Sequence, residues 1–114
     1  DQCSPMLQSK VVEAWAESES YALSIYHTAS KMLAGGSIGS ESSLGKIFWS
    51  ELDHMMHQTA LKILGASAEL ADSSEHDAAQ WIKGFMFSYG GPIYAGTNEI
   101  QKNIIAERLL GLPK

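Results

Sequence analysis

The chain has 114 residues, 45% of them apolar, and a formal net charge of −5 at pH 7. That length holds one small core, so residues 1–114 read as a single domain, and an acidic balance without a basic stripe excludes a nucleic-acid-binding surface. The single Cys3 cannot close an internal disulfide, and no apolar run reaches the roughly 18 residues that suggest a membrane span, so a cytoplasmic protein with no transmembrane segment is expected.

Four helices and no strand are predicted, giving an all-α, antiparallel up-and-down four-helix bundle. The first runs from about Pro5 to Ala34. Ser4 caps it, Pro5 suits the first helical position, and Leu7, Val11, Trp15, Ala22, Ile25, Ala29 and Met32 form its expected buried stripe. Gly35-Gly36 end it, and the Gly- and Ser-rich stretch to Ser42 lacks the Gly-Lys-Ser/Thr ending of a phosphate-binding P-loop, so it reads as a connector. The second helix, Ser43 to Leu64, places Leu44, Phe48, Leu52, Met55 or Met56, Thr59 and Ile63 on one face. A polar stretch follows Gly65, then a shorter helix from about Glu75 to Tyr89 carries Trp81, Ile82, Phe85 and Met86 before Gly90-Gly91-Pro92 break it.

The fourth helix is expected to start near Asn98, which with Gln101 has the polarity of a capping box, while Thr97 offers a second capping hydroxyl. Ile100 and Ile104, with Ile105 or Leu109, recur at helical spacing, and Gly111 with Pro113 beyond it is a stop signal. Gly96 lets a ligand approach the backbone closely, and unpaired N–H groups of Thr97, Asn98 and Glu99 would suit an anion or a polar cofactor edge.

Glu51 and His54 form a Glu-x-x-His pair with Asp53 and His57 beside it, a pattern that binds paired metal ions when a second copy and two more carboxylates are present. No second copy exists, so no metal site is assigned. His54 falls off the apolar stripe and is expected among solvated residues, and His27 and His76 have no ligand-spaced partner.

The string Gly96-Thr97-Asn98-Glu99-Ile100-Gln101, followed by Asn103 to Arg108 and Gly111-Leu112-Pro113, resembles the C-terminal signature of acyl-CoA dehydrogenases. Lys46-Ile47-Phe48-Trp49-Ser50-Glu51-Leu52 is similar to the same family's helix with a lysine, an aromatic residue and a Ser-Glu pair. The resemblance implies the all-helical C-terminal domain of a longer chain, in keeping with a start at Asp1 in what reads as a connection into a helix. It further implies FAD as cofactor, an acyl-CoA substrate dehydrogenated to a trans-2-enoyl-CoA, an electron-transfer flavoprotein as electron acceptor, and a homo- or hetero-oligomer. Thr97, Asn98 and Glu99 match positions where the helix start meets FAD; Tyr94 and Gly96 match positions near the substrate.

Two departures from the family pattern matter. The position before the Gly-Thr pair, which in many members is the glutamate that removes the α-proton, is Ala95. Alanine accepts no proton, a phenol such as that of Tyr94 is a poor base, and Glu99 stands in the helix's first turn, which the resemblance points toward the flavin. No catalytic residue is therefore assigned in this chain: the base lies on an earlier helix, as in members similar to isovaleryl-CoA dehydrogenase, or on the other subunit type of a heteromer such as certain bacterial sterol side-chain dehydrogenases, or the protein is an inactive homologue. The family's Gln-x-x-Gly-Gly-like turn, which reaches a neighbouring subunit's FAD, falls on Lys62-Ile63-Leu64-Gly65-Ala66. Lys62 keeps a donor but loses an acceptor, and Gly65 reads equally well as a helix C-cap.

Overall fold

Pro5 at the first helical position and the Ser4 hydroxyl, which accepts from the Leu7 N–H at 3.3 Å, start a 29-residue helix, α1 (Pro5–Leu33). It ends as Gly35 takes φ +85° and the Gly36 N–H returns to the Lys31 carbonyl. The computed structural model describes residues 4–69 and 78–113. The connector leads into α2 (Glu41–Leu64), ended by Gly65 at φ +56° and followed by a 3₁₀ turn over Gly65–Glu69. After it come α3 (Ala78–Ser88) and α4 (Asn98–Ile104), which runs on into a single wide turn over Ile105–Leu109. The expected start of the third helix at Glu75, and His76 with it, lie outside the described residues.

The fold is all-helical, as the periodicity predicts, and α2 is its axis: α1, α3 and α4 each pack against α2. Among the described elements, helix α1 comes into backbone contact range of α2 alone, and the molecule is correspondingly long, 50 × 27 × 24 Å. This corrects the expected α1 stripe. No α1 side chain is buried, Trp15 is 65% exposed, and Val11, Ile25 and Met32 also lie open. A single neighbour covers a narrow strip of a helix, whereas an apolar stripe of that width needs two.

The interior differs from expectation too. Leu52 and Thr59 of the predicted α2 face are buried, but Leu44, Phe48 and Ile63 are exposed, and the most completely enclosed side chains among the described residues are the small ones of Ser50, Ala78 and Ser88. The reason is close approach. Gly91 sits so near α2 that a Cβ there would lie 3.2 Å from the Ser50 Cβ, and a Cβ on Gly84 would run into the His57 ring. Where backbones come this close, only small side chains fit between them. His54 is likewise corrected: it is half-buried at the α2–α3 contact, stacked on Phe85 and edge-on to Tyr89, with Nδ1 2.8 Å from the Ser88 Oγ. The Ser88 hydroxyl spends its proton on the Phe85 carbonyl at 2.6 Å, so it accepts from the His54 ring, whose Nδ1 carries the hydrogen.

Candidate functional site

The turn that delivers α4 is built by backbone bonds. Gly90 and Gly91 N–H groups return to the Phe87 and Ser88 carbonyls, and Ile93 and Tyr94 N–H groups return to Gly90. Ala95 and Gly96 then take left-handed conformations in succession, φ +56° and +85°, reversing the chain. For glycine this is free; for Ala95 it costs about 1 kcal/mol. Two bonds hold the reversal: the Asn98 N–H to the Pro92 carbonyl at 2.9 Å and the Gln101 side-chain amide to the Ala95 carbonyl at 3.0 Å.

The N-cap is Thr97, not Asn98. Thr97 is extended and its hydroxyl accepts from the Ile100 N–H at 3.3 Å, so the helix begins at Asn98 and Gln101 serves Ala95 instead of a capping box. This frees the Asn98 side chain for another task. It is 5% exposed and turned into the α2–α4 contact, where its Oδ1 accepts from the Lys46 ammonium at 2.7 Å. With the Ser50 proton given to the Ile47 carbonyl at 2.9 Å, the Ser50 oxygen accepts from Asn98 Nδ2 at 3.1 Å, and the second amide hydrogen points toward Glu51 Oε1 at 3.5 Å. Lys46, Ser50 and Glu51 of one motif thus converge on Asn98 of the other, 48 positions away from Ser50 in sequence.

Of the N–H groups expected to await a ligand, Asn98's is taken by Pro92. Glu99 is held below the usual glutamate range first by its own backbone N–H and then by the Thr97 hydroxyl, with Lys102 and Lys46 adding a weaker pull. The helix start is therefore largely satisfied from within, and Thr97 alone of the three keeps an unengaged N–H among the described residues. What faces outward is a strip of exposed backbone at Ala95 and Gly96, with the half-buried Thr97 next to it, and the Tyr94 ring near those of Trp49 and Phe87. Such a strip, with one donor beside an aromatic wall, suits the polar edge of a planar ring system.

Lys62 and Gly65 are not part of this cluster. They lie at the other end of α2, about 18 Å along its axis from Ser50, with Gly65 as the C-cap in open space. Glu51 and His54 also part company: the carboxylate leans toward Asn98 and the imidazole toward α3. Among the described residues no three His, Cys, Asp or Glu side chains converge as a metal would need, and no helix is long and apolar enough to cross a membrane. The Lys46–Asn98–Ser50 cluster was missed by periodicity. Its signal was Lys46 and Ser50 four apart on a helix, polar residues on one stripe that must find partners when buried.

A short α4 delivered by a glycine turn and pinned to a long central helix defines an all-helical domain organised around α2. The family model for the acyl-CoA dehydrogenase C-terminal domain matches residues 3–110, and the chain belongs to that family. Two curated relatives named acyl-CoA dehydrogenase IpdE1, from Mycolicibacterium smegmatis and Mycobacterium tuberculosis, are each 29% identical to it over 113 residues. Those matches cover 96% of this chain but 26% and 28% of the relatives, so the chain spans about a quarter of their length. No solved structure matches the chain.

Proposed function

We propose that residues 1–114 are the C-terminal domain of an FAD-dependent acyl-CoA dehydrogenase that converts an acyl-CoA thioester to a trans-2-enoyl-CoA, with its catalytic base outside this chain. The enzyme is expected to act in the cytoplasm as a homo- or hetero-oligomer and to pass electrons on to an electron-transfer flavoprotein. Bound FAD would supply the hydride acceptor for the β-hydrogen, and a carboxylate outside this chain would take the α-proton. The described residues fit one edge of that cofactor: the exposed Gly96 backbone allows close approach, the Thr97 N–H donates, and Tyr94 with Gly96 borders the substrate side. Asn98 would contribute by holding the turn, because its side chain is committed to Lys46 and Ser50. Glu99 would supply negative charge at the helix start without serving as the base, its carboxylate being engaged by Thr97 and its own N–H. Lys62 and Gly65 would face the cofactor of a neighbouring subunit.

The observation that carries the missing base is Ala95, exposed and left-handed, immediately before Gly96 with no proton acceptor on its side chain. A second reading follows from the same residue and from Lys62 in place of glutamine: a non-catalytic subunit that completes the active partner of a heteromer. Purification of the full-length protein alone and with its co-expressed partner, followed by flavin release on denaturation and an acyl-CoA dehydrogenation assay, separates the two. Flavin and activity in the protein alone support a base elsewhere in its own sequence; activity only in the mixed preparation supports the partner subunit. Absence of flavin from both preparations would leave the helical scaffold without the proposed chemistry.

A further inference from the structure

The N-terminal end of α2 and the side of α4 enclose a groove of about 410 Å³ that lies outside the Tyr94–Thr97 strip. Its donors have few partners of their own. Ser43 is 4% exposed and its hydroxyl takes part in no hydrogen bond among the described residues. No sealed side-chain polar atom among those residues lacks a partner, so the small surface Ser43 retains includes that hydroxyl, and Ser43 lines the groove. Ser40, at the N-cap of this 24-residue helix, makes no side-chain capping bond. Arg108 lines the groove from the wide turn that follows α4, exposed and without an ion pair or hydrogen bond among the described residues. Gln101 donates one amide hydrogen to the Ala95 carbonyl and keeps its second.

The charge pattern favours an anion. The N-terminal end of a long helix carries partial positive charge, and Arg108 adds a full one with a fork of donors. The acidic residue in the α2 first turn, Glu41, is already neutralised: its carboxylate takes the Lys31 ammonium at 2.8 Å and the Gly39 N–H at 3.0 Å. We propose that this groove binds a tetrahedral phosphate-class oxyanion, held by the Arg108 guanidinium and the Ser40 and Ser43 hydroxyls at the start of α2. Several oxygens in a tetrahedral array match donors arriving from a helix end on one side and a guanidinium on the other, which a single carboxylate leaves partly unmet. The inference is independent of the flavin reading, which uses the other side of the turn.

Calorimetric titration of the full-length protein at low ionic strength tests it, with inorganic phosphate in one arm and adenosine 3′,5′-bisphosphate in the other. The expected result is saturable binding of phosphate in the low-millimolar range, weakened by at least about tenfold in Arg108→Gln and by a smaller factor in Ser43→Ala, with flavin content unchanged. Tighter binding of the nucleotide than of phosphate assigns the site to a nucleotide phosphate; equal binding assigns it to the free anion. Ser43→Ala, which removes one oxygen and adds no volume, serves if Arg108→Gln fails to fold. Absence of saturable binding in both arms, or affinities that neither substitution changes, overturns the proposal.

Discussion

Helices α1 and α4 use α2 in opposite ways. Helix α1 is 29 residues long and buries none of its side chains, whereas α4, seven residues before its final wide turn, contributes the nearly sealed Asn98 and is tied to α2 by Lys46 and Ser50. One is attached by a shallow, exposed contact, with Tyr21 stacked on Phe48 and Lys31 paired with Glu41 at the surface, and the other by a few directed bonds at buried groups across a close approach. Helix length is therefore a poor guide to which segment fixes the geometry of the candidate site. The position of Gly96 and Thr97 depends on the short helix, because directed bonds at small buried groups allow one arrangement while a shallow apolar strip tolerates sliding.

The contrast can be broken at several points, and the largest effect is expected at Gly91. Gly91→Val inserts a branched side chain against Ser50 in a space that a single Cβ already crowds, and urea unfolding should show a loss of about 3 kcal/mol. Asn98→Ala removes the amide that links α4 to Lys46 and Ser50; a loss of about 2 kcal/mol is expected, together with faster amide exchange at Thr97 to Gln101. Unchanged exchange there would show that the turn holds itself. Ala95→Gly should act in the other direction, raising stability by roughly 1 kcal/mol because the left-handed backbone costs glycine nothing. A destabilised variant would mean that the alanine methyl makes a contact that outweighs the strain.

Smaller effects sharpen the other side of the comparison. Trp15→Ser on the open face of α1 should change the unfolding midpoint of this domain by no more than about 0.5 kcal/mol. A larger loss would show that α1 is covered on more than the side facing α2. The smallest expected effect is the pH dependence at the α4 start. Glu99 titrates below its usual range in the folded protein, so its contribution is present above the ordinary glutamate pKa and fades as pH falls through the lowered value. Glu99→Gln should flatten the acid limb of the stability profile slightly; an unchanged limb would place the effect on other carboxylates.

Much of this was legible in the sequence because it depends on neighbours along the chain. Ser4-Pro5 and Gly35 bracket α1, Gly65 ends α2, and Gly111 closes α4 at φ +67° with the Leu112 N–H on the Ala106 carbonyl. The signature from Gly96 to Gln101 named the family, and the family match over residues 3–110 agrees. Less legible was which residue caps α4. Thr97 and Asn98 are both good caps, and the choice fell to Thr97 because Asn98 has a better use against Lys46 and Ser50, partners that one-dimensional spacing does not reveal.

The same limit explains α1 and His54. A periodic apolar stripe states that a helix has a face to bury, but how much is covered depends on how many helices arrive there, and at α1, among the described elements, only α2 does. His54 lies off the apolar stripe by spacing, yet α3 approaches that side of α2 and provides Ser88, Phe85 and Tyr89 for the ring. By itself, the sequence determined the all-helical class, the ends of α1 and the stop of α2, the family, and the absence of a proton acceptor at Ala95, since these follow from residue identity and local backbone preference. Only the tertiary structure decided that Lys46, Ser50 and Asn98 meet, that Asn98 turns inward, and that Ser43 and Arg108 share a groove, because such pairings depend on how far apart two helix axes come to rest.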